Sequence, residues 1–349
     1  MSATESSRDH LRAPPLSRRR ALTVIAAAAG LALPSPVRAN SGRQPALLRW
    51  RGRALGAETT ITLYHPESAV RQRAIIAAVQ EIERLEREFS LYRPDSALSR
   101  LNRQGHLERP SLDMIRLLGD ATRLGALSRG AFDVSVQPLW RLYADHFSRP
   151  EADPAGPPQA AIERTRRLVD YRAIVSDRKG VRLARPGMAL TLNGIAQGYI
   201  ADRVAALLAD HGIAAVLLDL GEFRAIGHHP EGRPWRVGIR LPEVTEEVLR
   251  AVELGQTAGS PTALATSSGS GTRFDAAGRF HHLFDPASGR CPDGVAGATV
   301  MADTAARADG LSTALAVMAP EEAAKLLRRA GRARGFLVHA DGSSTVVDA

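Results

Sequence analysis

The chain has 349 residues, 44% of them hydrophobic, which suffices for one large domain or two small ones and excludes a disordered, collagen-like or repeat-array chain. Its formal net charge is +9, but residues 1–39 hold six arginines and two acids, so that segment carries +4 and the remaining 310 residues only +5. So mild an excess favours small anions slightly and argues against nucleic-acid binding, while a single cysteine, Cys291, excludes an intrachain disulfide and a CxxC metal site.

The first element is a leader. Ser17-Arg18-Arg19-Arg20 precedes an apolar run from Leu22 to Leu33, followed by Pro34, Pro36 and Val37-Arg38-Ala39. A basic region, a short apolar region and a small-residue cleavage site predict a secretory signal peptide over 1–39. The paired arginines before an alanine-rich run predict the twin-arginine type, hence a mature protein in the periplasm. The run is well short of the ~20 residues a membrane span requires. Residues 40–349 then form the functional domain. Leu47 to Leu63 reads as two strands, and Val70, Ala74, Ala78, Ile82, Leu85 and Phe89 form one face of a long helix. Further helices are predicted over 112–127, from Pro138 to Tyr143, and over 196–211, 305–318 and 321–330. Strands are predicted over 189–192, 214–220, 235–241, 263–267, 280–284, 298–301 and 335–339. Pro150, Pro154, Pro157 and Pro158 mark 148–159 as a surface loop or subdomain junction. Helices and strands alternate without a βαβ rhythm, so the expected class is α+β: layered, with mixed sheets and flanking helices.

No phosphate loop, dinucleotide fingerprint, HExxH or GxSxG elbow occurs. Four polar clusters remain. Gly130-Ala131-Phe132-Asp133 could hold a planar ring and its polar edge, or be a capped loop that buries Phe132. Asn193-Gly194-Ile195-Ala196-Gln197-Gly198 places two glycines at a helix start, where free N–H groups can meet phosphate, or where they only relieve crowding. Thr266-Ser267-Ser268-Gly269 offers hydroxyl and amide donors beside His281-His282-Leu283-Phe284-Asp285-Pro286. Neighbouring histidines on a strand point to opposite faces, so at most one serves a given site, unless they are surface residues beside a structural Asp-Pro turn. Asp309 and Thr313 are four apart, hence on one helix face, and supply hard oxygens suited to Mg²⁺, although an Asp in a first helical turn also favours the dipole.

The blocks LGAETTITLY (55–64), FSLYRPDSALSRLN (89–102), GAFDVSVQPLW (130–140), LNGIAQGYIAD (192–202), DLGEFRAIG (219–227), HHLFDPASG (281–289) and ADGLSTAL (308–315) occur in that order. Together they make the mature chain similar to the ApbE family of FAD:protein FMN transferases. The resemblance implies an ApbE-like fold and a reaction in which FAD is cut, FMN is joined by a phosphoester bond to a Thr or Ser of an acceptor protein, and AMP leaves. It implies Mg²⁺ held by Gly194, Asp309, Ser312 and Thr313. It also implies FAD lined by Leu55, Tyr92, Ala131, Phe132, Asp133, Thr191, Gln197 and Leu283, with His282 accepting the acceptor's proton. Asp309 and His282 are thus the expected catalytic pair. Expected acceptors are flavoproteins with a periplasmic domain, of Rnf or Nqr type, or NosR-like if the chain is of the NosX type. Two alternatives stay open: an FAD pyrophosphatase giving FMN and AMP, and a periplasmic flavin-binding protein without turnover. The chain departs from the common pattern at Leu55, at Gln197, at Gly221-Glu222 and in the lengthened Thr266–Gly269 block.

Overall fold

The computed structural model describes residues 47–54, 56–241, 244–255 and 259–348. The predicted leader, and Leu55 among the expected flavin contacts, lie outside the described residues. The chain opens with hairpin strands β1 (Leu48–Ala54) and β2 (Ala57–Tyr64), then α1 (Ser68–Phe89), α2 (Ala97–Gln104), β3 (His106–Glu108) and α3 (Leu112–Leu127). Next come α4 (Gln137–Phe147), α5 (Gln159–Arg166), β4 (Ile174–Ser176), β5 (Gly180–Leu183), α6 (Ala196–Asp210), β6 (Ala215–Asp219) and β7 (Phe223–Ile226). The remainder is β8 (Trp235–Leu241), β9 (Thr245–Leu254), β10 (Ala263–Ser268), β11 (Val295–Ala302), α7 (Ala305–Val317), α8 (Pro320–Ala330), β12 (Arg334–His339) and β13 (Ser344–Asp348).

Among the described residues the main sheet has eight strands, in the order β1-β2-β6-β7-β10-β11-β12-β13. Every neighbouring pair in it is antiparallel, which places the fold in the expected α+β class. Strand alternation divides its side chains between two cores. Val216, Leu218, Ala263, Ala265 and Leu337 face the helical layer, while Leu217, Leu264, Phe336 and Val338 face the β8–β9 ribbon. The order of layers is therefore ribbon, sheet, helices. A third cluster of Leu139, Tyr143, Ile162 and Phe284 joins α4 and α5 to the 274–291 hairpin.

Helix α1 buries Ala74, Ala78, Ile82, Leu85 and Phe89, the spacing that puts a single stripe on the core. Helix α7 is different, since ten of its thirteen residues are buried. A helix enclosed all round must be built of small side chains if its neighbours are to reach it, and α7 is mostly alanine, glycine and serine. Gly198 of α6 marks a close approach of backbone to backbone. A Cβ there would lie 2.3 Å from the Ala305 carbonyl oxygen. Asp202, one turn further along α6, accepts the N–H groups of Ala305 and Ala306 at 2.9 Å each, and so caps the start of α7 from outside it.

Two predicted strands are not strands. Residues 189–192 are extended, but their backbone is held by a side chain: Asn102 receives the Leu190 N–H at 2.7 Å and donates to the Leu190 carbonyl at 2.8 Å. Thr191 N–H adds a bond to the Val134 carbonyl at 2.8 Å. With those groups satisfied, no neighbouring strand is needed. Residues 280–284 make only the isolated bridge between Arg273 and His281, and Asp285 pairs with Arg290, because side chains of His281, His282 and Cys291 take backbone bonds a ladder would use.

The candidate phosphoryl site

The site gathers where α6, α7, β10 and the turn after β6 meet. Ser312 donates its hydroxyl to the Asp309 carbonyl at 2.8 Å, the bond that lets a serine sit in a buried helix. The Ser267 hydroxyl of β10 lies 2.8 Å from the Ser312 hydroxyl and 3.1 Å from that of Thr313. Gly194, in the turn that starts α6, closes the group. A Cβ on it would lie 2.8 Å from the Thr313 hydroxyl, so only a glycine leaves its backbone against that oxygen. Asp309 is buried and accepts the Gly198 N–H at 3.1 Å. That N–H belongs to the first turn of α6, where an acceptor is otherwise lacking.

The four expected cation ligands, Gly194, Asp309, Ser312 and Thr313, thus converge from segments more than 110 residues apart in the chain. The donor set is one carboxylate, hydroxyls and peptide carbonyls, all hard oxygens, which fits a Mg²⁺ ion. The tight Gly194–Thr313 contact forms a cradle that any larger residue at 194 would fill. Burial pushes the Asp309 carboxyl up to about 8, opposed by the Gly198 N–H and reinforced by the negative charge of Asp202. A carboxylate so disfavoured is one that a bound cation would restore to its charged form.

Around this point lies a further set of acids. Glu222 is 6% exposed and sits in the turn after β6, where Gly221 has φ +95 and receives the Gln197 side chain against its open face. The Glu222 carboxylate accepts the Thr266 N–H at 3.2 Å. Burial raises it well above the carboxylate range, and the Asp309 and Asp219 charges push the same way. Asp219 itself is pushed up to about 7 by burial.

His282 lies in the hairpin that follows β10, against Gly271 and Thr272. Its Nδ1 accepts the Thr272 N–H at 3.2 Å and lies 3.4 Å from the Thr272 carbonyl, so either tautomer finds a partner on one residue. Gly271 packs flat over the ring; a Cβ there would lie 3.0 Å from Cε1. Burial lowers the imidazole to about 4, helped by the neighbouring His281, so His282 is neutral near pH 7. The His281 ring packs against Gly269, and its Nε2 lies 3.1 Å from the Pro292 carbonyl, so its polar edge is taken up within the hairpin.

The expected flavin contacts differ in their surroundings. Gln197 and Thr191 lie beside the cation ligands, and the Thr191 hydroxyl accepts the Asn193 N–H at 3.3 Å. Tyr92 is 73% exposed with its ring edge near Gly56, an open aromatic face beside the β1–β2 turn. Phe132 and Leu283 are core residues, Phe132 lying against Gly310, next to Asp309. Ala131 packs on the same core. Asp133 spends both oxygens inside the chain, accepting Ser135 N–H and hydroxyl at 2.8 and 2.6 Å and Tyr171 N–H at 2.9 Å. Its carboxylate staples the loop, and burial raises its pKa. Two contributors, Ser267 and Asp202, are not among the ligands the motifs single out. Ser267 was visible as part of a hydroxyl-rich block, whereas Asp202 needed the α6–α7 contact to acquire a role.

Fold and site together define a class: an antiparallel α+β protein in which a glycine turn, a serine-rich strand and a carboxylate on a buried helix form one hard-oxygen centre. Residues 55–337 match the ApbE family, and the chain belongs to that family. It is 32% identical over 264 residues to a Haemophilus influenzae protein named FAD:protein FMN transferase, covering 72% of this chain and 75% of that one. The flavin transferase ApbE from Vibrio cholerae superposes with a TM-score of 0.73 at 26% identity, over 87% of this chain and 98% of that chain. The ApbE protein of Thermotoga maritima gives a TM-score of 0.76 at 25% identity, over 86% and 97%.

Proposed function

We infer that this protein is a flavinyltransferase that cleaves FAD and joins FMN to a hydroxyl of an acceptor protein. The observation that carries the reading is the convergence of Gly194, Ser267, Asp309, Ser312 and Thr313 on one point. The relatives' names supply the substrate. In the reaction, an acceptor Thr or Ser oxygen attacks the FMN-side phosphorus. The bond to the bridging oxygen breaks, AMP departs with that oxygen, and a phosphoester remains.

Gly194, Asp309, Ser312 and Thr313 would hold Mg²⁺, which supplies positive charge to the phosphoryl oxygens and the leaving group. The chain's own residues do the rest. Gly198 N–H fixes the Asp309 carboxylate, and Ser267 orients the Ser312 and Thr313 hydroxyls. His282 accepts the acceptor's proton at Nε2, in the tautomer whose Nδ1–H faces the Thr272 carbonyl. Its low pKa keeps the lone pair free and makes it a weak base, which suits a proton lost late, as the phosphoester forms. Tyr92 offers its open ring to the flavin. Export by a twin-arginine leader, and hence an acceptor with a periplasmic domain of Rnf, Nqr or NosR-like type, completes the proposal.

The test uses the mature protein with FAD, Mg²⁺ and a candidate acceptor domain, read by intact-mass spectrometry. An FMN-sized mass gain on the acceptor that disappears with EDTA is the expected result. Free FMN and AMP without adduct, across several acceptor domains, would instead identify a pyrophosphatase. Persistence of the adduct in EDTA would remove the cation from the scheme.

A further inference from the structure

We propose that Glu222 is a second carboxylate of the cation site, and that with Asp309 it holds a divalent ion before the flavin nucleotide arrives. This deepens the proposed function and rests on the site assignment made there.

The placement of Glu222 carries the inference. Strand β7 pairs with β10 only through Ala263–Arg224 and Leu264–Phe223, then turns away at Glu222. From that point the Glu222 side chain takes the place of the missing strand, receiving the Thr266 N–H at 3.2 Å. The next residue on β10 is Ser267, whose hydroxyl touches both Ser312 and Thr313. The carboxylate is therefore tethered one residue from the hydroxyl centre, on the side where Gln197 covers Gly221.

Its charge has no protein counterpart. Glu222 is 6% exposed and Asp309 2%, and among the described residues neither forms an ion pair with any Arg, Lys or His. Asp202, another acid of the region, is paired with Arg224 at 2.9 Å, so the fold supplies an arginine there. Glu222 and Asp309 each have one backbone N–H on one oxygen. Two buried carboxylates in such a setting are costly unless a cation joins them. A dication balances their charge, and the neighbouring hydroxyls and the Gly194 backbone supply further oxygens for the coordination Mg²⁺ requires. If Glu222 only satisfied Thr266 N–H, a neutral amide would serve equally well, and this difference is what can be measured.

The experiment is isothermal titration of the nucleotide-free protein with Mg²⁺ alone, repeated with Mn²⁺ monitored by electron paramagnetic resonance. Wild type is expected to bind one equivalent of either ion without FAD. Glu222→Gln keeps an acceptor for Thr266 N–H and hence the fold, checked by its melting temperature, yet is expected to bind both ions at least tenfold more weakly. Glu222→Gly should weaken binding to the same degree, and Asp309→Asn should abolish it. Equal affinity in wild type and Glu222→Gln, or no wild-type binding until FAD is added, would overturn the role of Glu222. Binding that survives Asp309→Asn would instead overturn the cation site itself, whatever Glu222 does.

Discussion

Replacing Gly198 by alanine probes the joint between fold and site. Its Cβ would fall 2.3 Å from the Ala305 oxygen, 2.5 Å from the Ala305 carbonyl carbon and 2.6 Å from the Ala306 nitrogen. These are backbone atoms, so no side chain can rotate away. Restoring ordinary contact requires α6 and α7 to part by about 1 Å. That motion stretches the 3.1 Å bond from Gly198 N–H to Asp309 and the two 2.9 Å bonds by which Asp202 caps α7. Overpacking of this kind costs about 1–3 kcal/mol, and weakening a hydrogen bond to a charged group adds about 1.5–3 kcal/mol. Because the same displacement causes both, they overlap, and about 3 kcal/mol is a fair total. At about 2 °C per kcal/mol for a chain of this size, the melting temperature should fall by about 6 °C. FAD cleavage should fall further than stability explains, since Asp309 moves. The assays are thermal unfolding and AMP release at saturating Mg²⁺. Gly294→Ala is the control, because a Cβ there meets nothing within 4 Å. A Gly198→Ala protein that melts within about 1 °C of wild type and cleaves FAD normally would refute the tight-joint argument.

Two further predictions concern segments outside the joint. Asn102→Ala removes both side-chain bonds to Leu190 and should cost about 2 kcal/mol, measured as a lower urea midpoint with an unchanged slope; no change would mean that residues 189–192 hold their shape unaided. His282 has a folded-state pKa of about 4 against 6.5 unfolded, so the unfolded chain takes up the proton first. Its contribution therefore turns unfavourable as pH falls from 6.5 toward 4, reaching about 3 kcal/mol at most. Urea midpoints of wild type and His282→Gln should converge as the pH drops through that window, and parallel curves would sink the assignment of a neutral ring.

Much of the fold was legible because its signals are local. The 112–127 helix and the 235–241 strand have the predicted bounds, and the α1 stripe buries the predicted residues apart from Val70, which is half-buried. The misreadings share one cause. At 189–192 and 280–284 the apolar pattern is real, but side chains of Asn102, His281 and His282 consume the backbone groups, and no window of sequence reveals a partner 88 residues away. Helix α2 escaped notice because its eight residues give barely two turns of periodicity, although Ser96 caps it and Gly105 ends it at φ 75. In the site, the Asp309–Thr313 spacing predicted a shared face that α7 provides. Asp133 shows the limit: its motif suggested a contact for a ring's polar edge, and its carboxylate is occupied by Ser135 and Tyr171. Glu222 could be seen only as a departure from the usual pattern until its burial beside Asp309 gave the departure a physical meaning.

The most direct measurement counts products: AMP released and flavin bound covalently to the acceptor, in wild type and in Asp309→Asn, with FAD binding followed separately by fluorescence quenching. Wild type should yield one AMP per covalent flavin. Asp309→Asn should lose both products by at least a hundredfold while still binding FAD, since the Asn102 staple and the Tyr92 face are untouched and an amide oxygen can still accept the Gly198 N–H. Undiminished AMP and adduct from Asp309→Asn would place the chemistry somewhere other than the Gly194–Asp309–Thr313 centre.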